Sequence, residues 1–237
     1  MKQRLICLFI FSFLSVMYHA QVKKDTVEVK EKKYKLFIGG DLMAPLTGIW
    51  DKSNGYEFNA NMRLYKKIHL ALEAGYQKNN YSKVNWDVDV NGTYYKIGAN
   101  WSFNETDYSE DDFFYAGIRC AFTSYNQQIN AYPLTIRDEE GNVTVQQSTS
   151  GLGRETLSAR WIELVVGARK ELWNTGFFLD TSIRPKILIN YSKQAGVESI
   201  IIPGFGDNIN NANAWINVSL NYKIPLFKKK IKKKNEE

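Results

Sequence analysis

Apolar and polar residues alternate along most of the chain from about Tyr34 onward. A period of two places one set of side chains on each face of a β-strand. Segment 68–77 is the clearest: its even positions carry Ile, Leu, Leu, Ala and Tyr, and its odd positions carry His, Ala, Glu, Gly and Gln. Eight such segments can be counted, at residues 35–43, 56–65, 68–77, 93–103, 113–125, 157–170, 177–191 and 212–226.

The links between these segments alternate in length. Short links occupy residues 66–67, 104–112 and 172–176, and long links occupy residues 44–55, 78–92, 126–156 and 192–211. Bacterial outer-membrane barrels have short periplasmic turns and longer extracellular loops, and their tilted strands need about 9–11 residues to cross. The sequence therefore predicts an all-β fold, an eight-stranded antiparallel transmembrane β-barrel with both termini on the periplasmic side.

Alternation alone does not say which face is inside, and a soluble barrel with an apolar cavity also alternates. Charges of both signs occur in mid-strand on the polar face, where they can pair inside a membrane barrel. These predicted interior residues are Asp41, Glu57, Arg63, Glu73, Lys96, Arg119, Glu163, Arg169, Asp180, Arg184 and Lys223. An eight-stranded barrel is narrow enough for side chains to fill it, so we expect a closed interior and no open channel.

Aromatic residues gather near the strand ends, where membrane barrels carry two interfacial girdles. One group is Tyr65, Phe103, Phe113, Phe114, Trp173, Phe177 and Phe227. The other is Tyr56, Tyr76, Tyr95, Tyr125, Trp161, Tyr191 and Trp215. Two local features carry further expectations: Asn91-Gly92 is typical of a hairpin turn, and Pro185 inside a strand predicts a bulge.

The ends of the chain differ from its body. Two positive charges and an apolar run from Leu5 to Met17 predict a signal peptide over residues 1–20, since the run is too short to span a bilayer. We expect a charged periplasmic lead-in at 21–33, the barrel at 34–227 and a basic periplasmic tail at 228–237. The leader and the tail account for the net charge of +6, so the body is neutral and a nucleic-acid partner is disfavoured.

The eight alternating segments and the final strand NVSLNYKIPLF, which ends on an aromatic residue, resemble small outer-membrane barrel proteins of the Bacteroidota. The resemblance is in particular to the domain of unknown function 6048 family, and it covers residues from about Tyr34 to Phe227. It implies an outer-membrane location and a barrel fold, and it implies no activity.

The sequence offers little catalytic chemistry. After the leader it contains one histidine, His69, and one cysteine, Cys120, which is a poor supply for a metal site or a histidine-dependent hydrolase. We expect His69 to be a polar residue of the rim or the interior, and we expect no catalytic residue, metal or cofactor. The prediction is therefore that the protein is not an enzyme.

With little catalytic chemistry in the sequence, recognition of a partner by the long loops is the remaining class of function. The third long loop reads as a β-hairpin with a turn at 138–142, and it carries Leu134, Ile136, Val143 and Val145. The fourth carries Ile200, Ile201, Ile202 and Phe205, which either pack against neighbouring loops or form a docking surface.

These loops favour a non-enzymatic binding or scaffold subunit. One form of this hypothesis is an accessory component of an envelope machine for outer-membrane barrel assembly or secretion. The expected partners are outer-membrane lipid and other envelope proteins, reached through the extracellular loops or the basic tail. The alternatives are a lipid-modifying barrel enzyme and a stand-alone adhesin.

Overall fold

The computed structural model describes residues 30–45, 53–65, 67–83, 85–103, 111–138, 140–207 and 211–231. Residues 33–227 form one compact unit, and the second unit, 1–32 with 228–237, lies mostly outside the described residues. The strands are β1 (Lys30–Asp41), β2 (Ser53–Tyr65), β3 (Ile68–Lys83), β4 (Trp86–Phe103), β5 (Phe113–Ala131), β6 (Pro133–Arg137), β7 (Val143–Gln147), β8 (Leu152–Leu172), β9 (Phe177–Tyr191), β10 (Ile201–Ile202), β11 (Gly206–Asp207) and β12 (Ala212–Ile231).

Eight of these strands close into a ring in the order β1, β12, β9, β8, β5, β4, β3, β2. Strands β6 and β7 form a separate hairpin between β5 and β8, and β10 and β11 form a small one between β9 and β12. Closure pairs the backbone groups of every barrel strand, so the ring has no free edge. The predicted eight-stranded antiparallel barrel is confirmed. Among the described residues, no helix has the length and apolar character needed to cross a membrane.

In the part of the barrel next to the short turns, apolar side chains point outward and polar ones point inward. On β5, for example, Ile118 and Phe122 are exposed while Arg119 between them is buried. Outward aromatic pairs mark both limits of this apolar belt: Tyr95 stacks on Phe122 with ring centroids 5.4 Å apart, and Phe177 contacts Tyr222 at 5.0 Å. An apolar belt between aromatic girdles is the surface that a barrel presents to lipid. We call this part the membrane half.

Strands β3, β4, β5 and β8 continue beyond the belt. Lys78, Asn91, Asn126 and Thr156 pair across these four strands and form the first fully polar outward row. Beyond this row the polarity reverses: Val88 and Val90 are buried inside, whereas Asp89 points outward and accepts a hydrogen bond from Asn130 at 2.9 Å. We call this part the extension, and its apolar interior is what a structure surrounded by water requires.

A short segment, residues 199–207, covers the apolar inner face of the extension, and we call it the lid. Its Ile202 and Phe205 are buried, and the Phe205 ring meets Trp161 edge-on at 5.9 Å. Gly204 adopts a φ of +78° against the Tyr94 ring, where a Cβ would clash, so the turn of the lid requires glycine. The extension therefore has a small core of its own.

The extension explains the main errors in the predicted links. The predicted long loop at 78–92 is wrong, because β3 and β4 run through it and Asn91-Gly92 pairs with Lys78 and Gln77 in mid-strand. The predicted bulge at Pro185 is also wrong: the pairing of β8 and β9 lapses between Glu163–Lys186 and Val166–Ile183 without a change of register. Pro185 has no N–H to donate to the ladder, and the lapse covers two positions of β9, Pro185 and Arg184.

The girdle prediction is wrong for five aromatic residues that point inward. Tyr125 and Trp161 lie in the core of the extension, and Tyr191 packs against that core from a position paired with the buried Ala159. Phe113 is buried in the membrane half, and Trp215 pairs with the inward Arg184. At the ends, β1 begins at Lys30 and β12 ends at Ile231, so strands enter the predicted lead-in and tail. The predicted signal peptide lies outside the described residues.

Candidate functional site

The interior of the membrane half contains a cluster of buried, oppositely charged side chains. Lys96 Nζ lies 2.8 Å from Glu57 Oε2 and 3.4 Å from Glu163 Oε1. Glu73 accepts from Arg119 Nε at 3.1 Å and from an Arg184 Nη at 2.7 Å. We call Glu57, Glu73, Lys96, Arg119, Glu163, Arg184 and Lys186 the charge cluster.

The strand register brings these side chains to one level of the barrel. Glu73 pairs directly with Lys96, Arg119 with Glu163, and Glu163 with Lys186, all at inward positions of neighbouring strands. A charge removed from water is tolerated only when a counter-charge and hydrogen bonds replace its hydration. The cluster joins β2, β3, β4, β5, β8 and β9 across the barrel, so it fills and cross-links the cross-section.

A second buried layer lies nearer the short turns. Arg169 donates to Asp180 Oδ2 at 2.9 Å, and the Tyr115 hydroxyl donates to Asp180 Oδ1 at 2.5 Å. The Arg169 guanidinium lies over the rings of Phe37 and Phe113. His69 packs on Phe113 at 4.7 Å, and its two ring nitrogens make no hydrogen bond to any residue that the structure describes. Among the described residues, His69 therefore has no nucleophile or carboxylate in hydrogen-bonding contact.

The structure places nine of the eleven predicted interior residues in the barrel as buried side chains. They are Asp41, Glu57, Glu73, Lys96, Arg119, Glu163, Arg169, Asp180 and Arg184. Arg63 is half-buried, and so is Lys223, which lies 3.4 Å from both Asp111 and Glu171. The sequence reasoning missed Lys186, although it follows Asp180 and Arg184 at the same period of two.

The predicted hairpin of the third long loop is present as β6 and β7. Leu134, Ile136, Val143 and Val145 are all exposed, by between 39% and 55%. Asp138 holds its turn by accepting from the Asn142 backbone at 2.7 Å and from the Asn142 side chain at 3.0 Å. These hydrogen bonds to the carboxylate lower the pKa of Asp138.

The apolar run of the fourth long loop behaves differently. Ile202 and Phe205 are buried in the lid, and Ile200 and Ile201 are half-buried. Burial contradicts the docking interpretation at Ile202 and Phe205, and these two side chains pack on the barrel strands rather than on the neighbouring loops named in the alternative. The physical reason is the apolar inner face of the extension, which needs a cover.

A cavity of about 490 Å³ lies beside the lid. Its walls come from β2, β3, β4, β9, β12 and the lid, and its floor includes Lys96 and Arg184 of the charge cluster. Within the described part of the chain, no group of three or more His, Cys, Asp or Glu residues is arranged to hold a metal ion.

Residues 1–229 match the model of the family described as Domain of unknown function (DUF6048). The chain belongs to this family. No curated relative matches its sequence. The family description carries no activity, so the geometry of the barrel and its loops is what a function must explain.

Three solved structures with a similar arrangement are outer-membrane proteins. A major outer membrane protein of Thermus thermophilus matches at a TM-score of 0.46 and 9% identity, over 81% of this chain and 100% of that one. Neisserial surface protein A matches at 0.35 and 9%, over 83% and 99%. The attachment invasion locus protein Ail of Yersinia pestis matches at 0.32 and 10%, over 83% and 100%.

These likenesses are too weak to add to what strand pairing shows. The closed ring, its apolar belt and its charged interior make the chain a β-barrel of the outer-membrane type, independently of any relative.

Proposed function

We propose that this chain lies in the outer membrane as a non-enzymatic binding or scaffold subunit, and that it holds a partner protein through the β6–β7 hairpin. The apolar belt supports the membrane location. Lys67 and the turn at 173–176 lie at one end of the barrel, whereas the extension, hairpin and lid lie at the other. Since short turns are periplasmic in such barrels, both termini are assigned to the periplasm.

The exposed hairpin is the observation that carries the binding role. By register, Leu134 and Ile136 lie on one face, and Val143 and Val145 lie on the other. Neither face is covered by another described element, and β6 and β7 pair only with each other. An isolated two-stranded hairpin is marginal in water, and its free edges can accept a further strand. A partner that adds a strand and covers the aliphatic side chains would satisfy both features.

The base of the hairpin is anchored, so the hairpin projects from a fixed point. Ser148 N donates to Tyr132 O at 2.9 Å, and Tyr132 N donates to Ser148 Oγ at 2.9 Å, which closes the base of the hairpin. The Tyr132 side chain packs against the core of the extension, which attaches this base to the barrel. A preorganised element loses less conformational entropy when it binds than a flexible loop does. This anchoring supports a recognition element rather than a spacer.

The non-enzymatic part of the proposal is supported by the surroundings of His69, which packs on Phe113 inside the barrel. In its wider form, the proposal makes the partner another envelope protein, such as a subunit of a machine for outer-membrane barrel assembly or secretion. The partner's identity then follows from the experiment below.

The test is co-purification from native membranes after gentle solubilisation. The variant combines Ile136→Ser with Val145→Ser, one on each hairpin face. Burial of an aliphatic side chain is worth about 1.5–3 kcal/mol, so losing two weakens a complex by about a hundredfold or more at about 1.4 kcal/mol per tenfold. The matched control combines Thr135→Ser with Thr144→Ser in the same two strands.

The expected result is that the wild type and the control retain a partner that the Ile136→Ser, Val145→Ser variant loses at equal membrane abundance. If the variant keeps every partner of the wild type, the hairpin is not the binding element. If no protein accompanies even the wild type, the scaffold role is wrong, and the two alternatives, a stand-alone adhesin and a lipid-modifying barrel enzyme, remain.

A further inference from the structure

The cavity beside the lid has the size of a small-molecule site. Its volume of about 490 Å³ lies within the range of about 300–1,000 Å³ that is usual for ligand pockets. It includes Asn79 of the extension, beyond the polar outward row, and Gly206 and Asp207 of the lid. A ligand therefore enters it from water and not from the lipid core.

The charges that line the cavity balance, and its cations are already occupied. Lys96 binds Glu57 at 2.8 Å, Arg184 binds Glu73 at 2.7 Å, and Lys186 Nζ donates to the Gly204 carbonyl at 2.7 Å. An anionic ligand would have to displace one of these partners from a buried cation. The arrangement therefore favours an uncharged ligand.

Polar amide groups and an aromatic ring face the same space. Asn79 is 2% exposed, and its side-chain nitrogen makes no hydrogen bond to any described residue. An unpartnered buried donor is unfavourable, and an acceptor brought by a ligand would satisfy it. Trp215 lines the cavity from the β12 side with 41% of its surface exposed. Its register partner is the inward Arg184, so its ring lies on the interior side of the strand.

We infer that the cavity binds a neutral, polyhydroxylated molecule, a free mono- or disaccharide. The hydroxyl groups of a sugar bond to amides such as those of Asn79 and Asn217, and the apolar face of a sugar ring packs on an indole such as that of Trp215. The ion pairs of the charge cluster remain intact beneath it. This site is separate from the β6–β7 hairpin and does not depend on the hairpin's role.

The test uses the full-length protein in phosphatidylcholine nanodiscs, because sugar detergents would compete for the site. Maltose, lactose and N,N′-diacetylchitobiose are the neutral probes, and glucose 6-phosphate is the anionic comparison. Saturation-transfer NMR detects ligands with a Kd of about 1 mM at concentrations of about 10 mM. We expect at least one neutral sugar to bind more tightly than the phosphate ester.

Two variants identify the site. Trp215→Ala should weaken sugar binding by about tenfold, and Asn79→Leu by about threefold, which correspond to about 1.4 and 0.7 kcal/mol. Trp173→Ala is the matched control, because Trp173 is 88% exposed at the short-turn end. Heat-modifiable gel mobility checks that each variant is folded. Because Trp215 is partly exposed, its variant also tests the site if Asn79→Leu does not fold.

A second arm asks where the sugar comes from. Discs that contain a galactosyl lipid, tested for competition with free lactose, distinguish a membrane-borne sugar from a free one. Competition by the glycolipid would overturn the free-saccharide assignment. The inference is also overturned if none of the neutral sugars binds, if glucose 6-phosphate binds more tightly, or if Trp215→Ala and Trp173→Ala bind equally well.

Discussion

The membrane half and the extension share four strands and have opposite interiors. On β4, Lys96 points inward and Ile97 outward in the membrane half, whereas Val90 points inward and Asp89 outward in the extension. The backbone fixes the alternation in both parts, and the surrounding solvent decides which set must be apolar. The comparison shows that a strand can pass from lipid into water without a break if its pattern inverts at the boundary.

The two parts are therefore held together by different interactions. The membrane half depends on buried ion pairs, because lipid outside the barrel provides little hydrophobic gain from closing the ring. The extension depends on apolar burial beneath the lid, and its core includes Trp161, Ile202 and Phe205. We expect substitutions in the two parts to fail in different ways, the first by loss of the whole barrel and the second by local opening.

The largest effect is expected for Glu73→Leu in the membrane half. Glu73 contacts Lys96, Arg119 and Arg184, and its loss leaves these buried cations short of a counter-charge. Breaking such a network costs about 3–5 kcal/mol. The measurement is urea unfolding of the barrel in lipid vesicles. Leu72→Ala, at the adjacent lipid-facing position, is the control. An equal loss of unfolding free energy in both variants would show that the charge cluster contributes no more to stability than a lipid-facing leucine does.

The next largest effect is expected for Phe205→Ala in the extension. Phe205 is 1% exposed, and its loss leaves a cavity against Trp161. We expect lid opening to increase by about a hundredfold, which is about 2.8 kcal/mol and near the lower limit for losing a buried phenylalanine. The rate of limited proteolysis within residues 199–207 measures lid opening. We expect the urea midpoint of the barrel to stay unchanged. Leu134→Ala on the exposed hairpin should alter neither quantity.

The opposite result would be equally informative. If Phe205→Ala lowered the urea midpoint as much as Glu73→Leu does, the extension and the membrane half would unfold as one cooperative unit. The distinction between two differently stabilised parts would then be wrong.

A smaller effect, on the opening of the lid, is expected for Lys186→Met. Lys186 joins the two parts of the barrel. Its Nζ donates to the Gly204 carbonyl at 2.7 Å and lies 3.8 Å from Glu163. Glu163 still has Lys96 as a counter-charge at 3.4 Å, so the ion pairs of the charge cluster remain in the variant. The lid loses one hydrogen bond from a charged donor. We expect about tenfold faster proteolysis of the lid, or about 1.4 kcal/mol. Lys193→Met, at an exposed ion pair with Glu198, should have no such effect, and equal rates in both variants would contradict the role of Lys186.

The sequence predicted most of the membrane half because one rule holds at most of its positions, and the inward Phe37, Phe113 and Phe178 are exceptions. The alternation of 68–77 identified the outward Leu72 and the inward Glu73, and the mid-strand charges identified most of the charge cluster. The barrel interior is filled from strands whose neighbours follow along the chain, so local pattern and three-dimensional position agree there.

The same rule failed in the extension. Residues 86–91 read Trp-Asp-Val-Asp-Val-Asn, an alternation with acidic outward positions whose polar content is equally typical of a loop. A period of two gives no depth relative to the membrane, so the pattern does not distinguish a girdle position for Trp161 from a position in the core of the extension. The apolar run 200–205 could be read as packing or docking, since the concave face that it covers is assembled from β4, β5 and β8.

We expect no steady ion conductance through the barrel, either in the wild type or when the lid is opened. The charge cluster closes the barrel with side chains from six strands, and the layer of Arg169, Asp180 and Tyr115 lies beneath it.

Both layers belong to the membrane half and make no use of Phe205, so opening the lid should not open the barrel. Wild type and Phe205→Ala should both show no steady current in planar bilayers, like a mock preparation. Steady channels in the wild type would show that the ion pairs do not seal the interior. Channels in Phe205→Ala alone would make the lid the seal, and the membrane half would then be open beneath it.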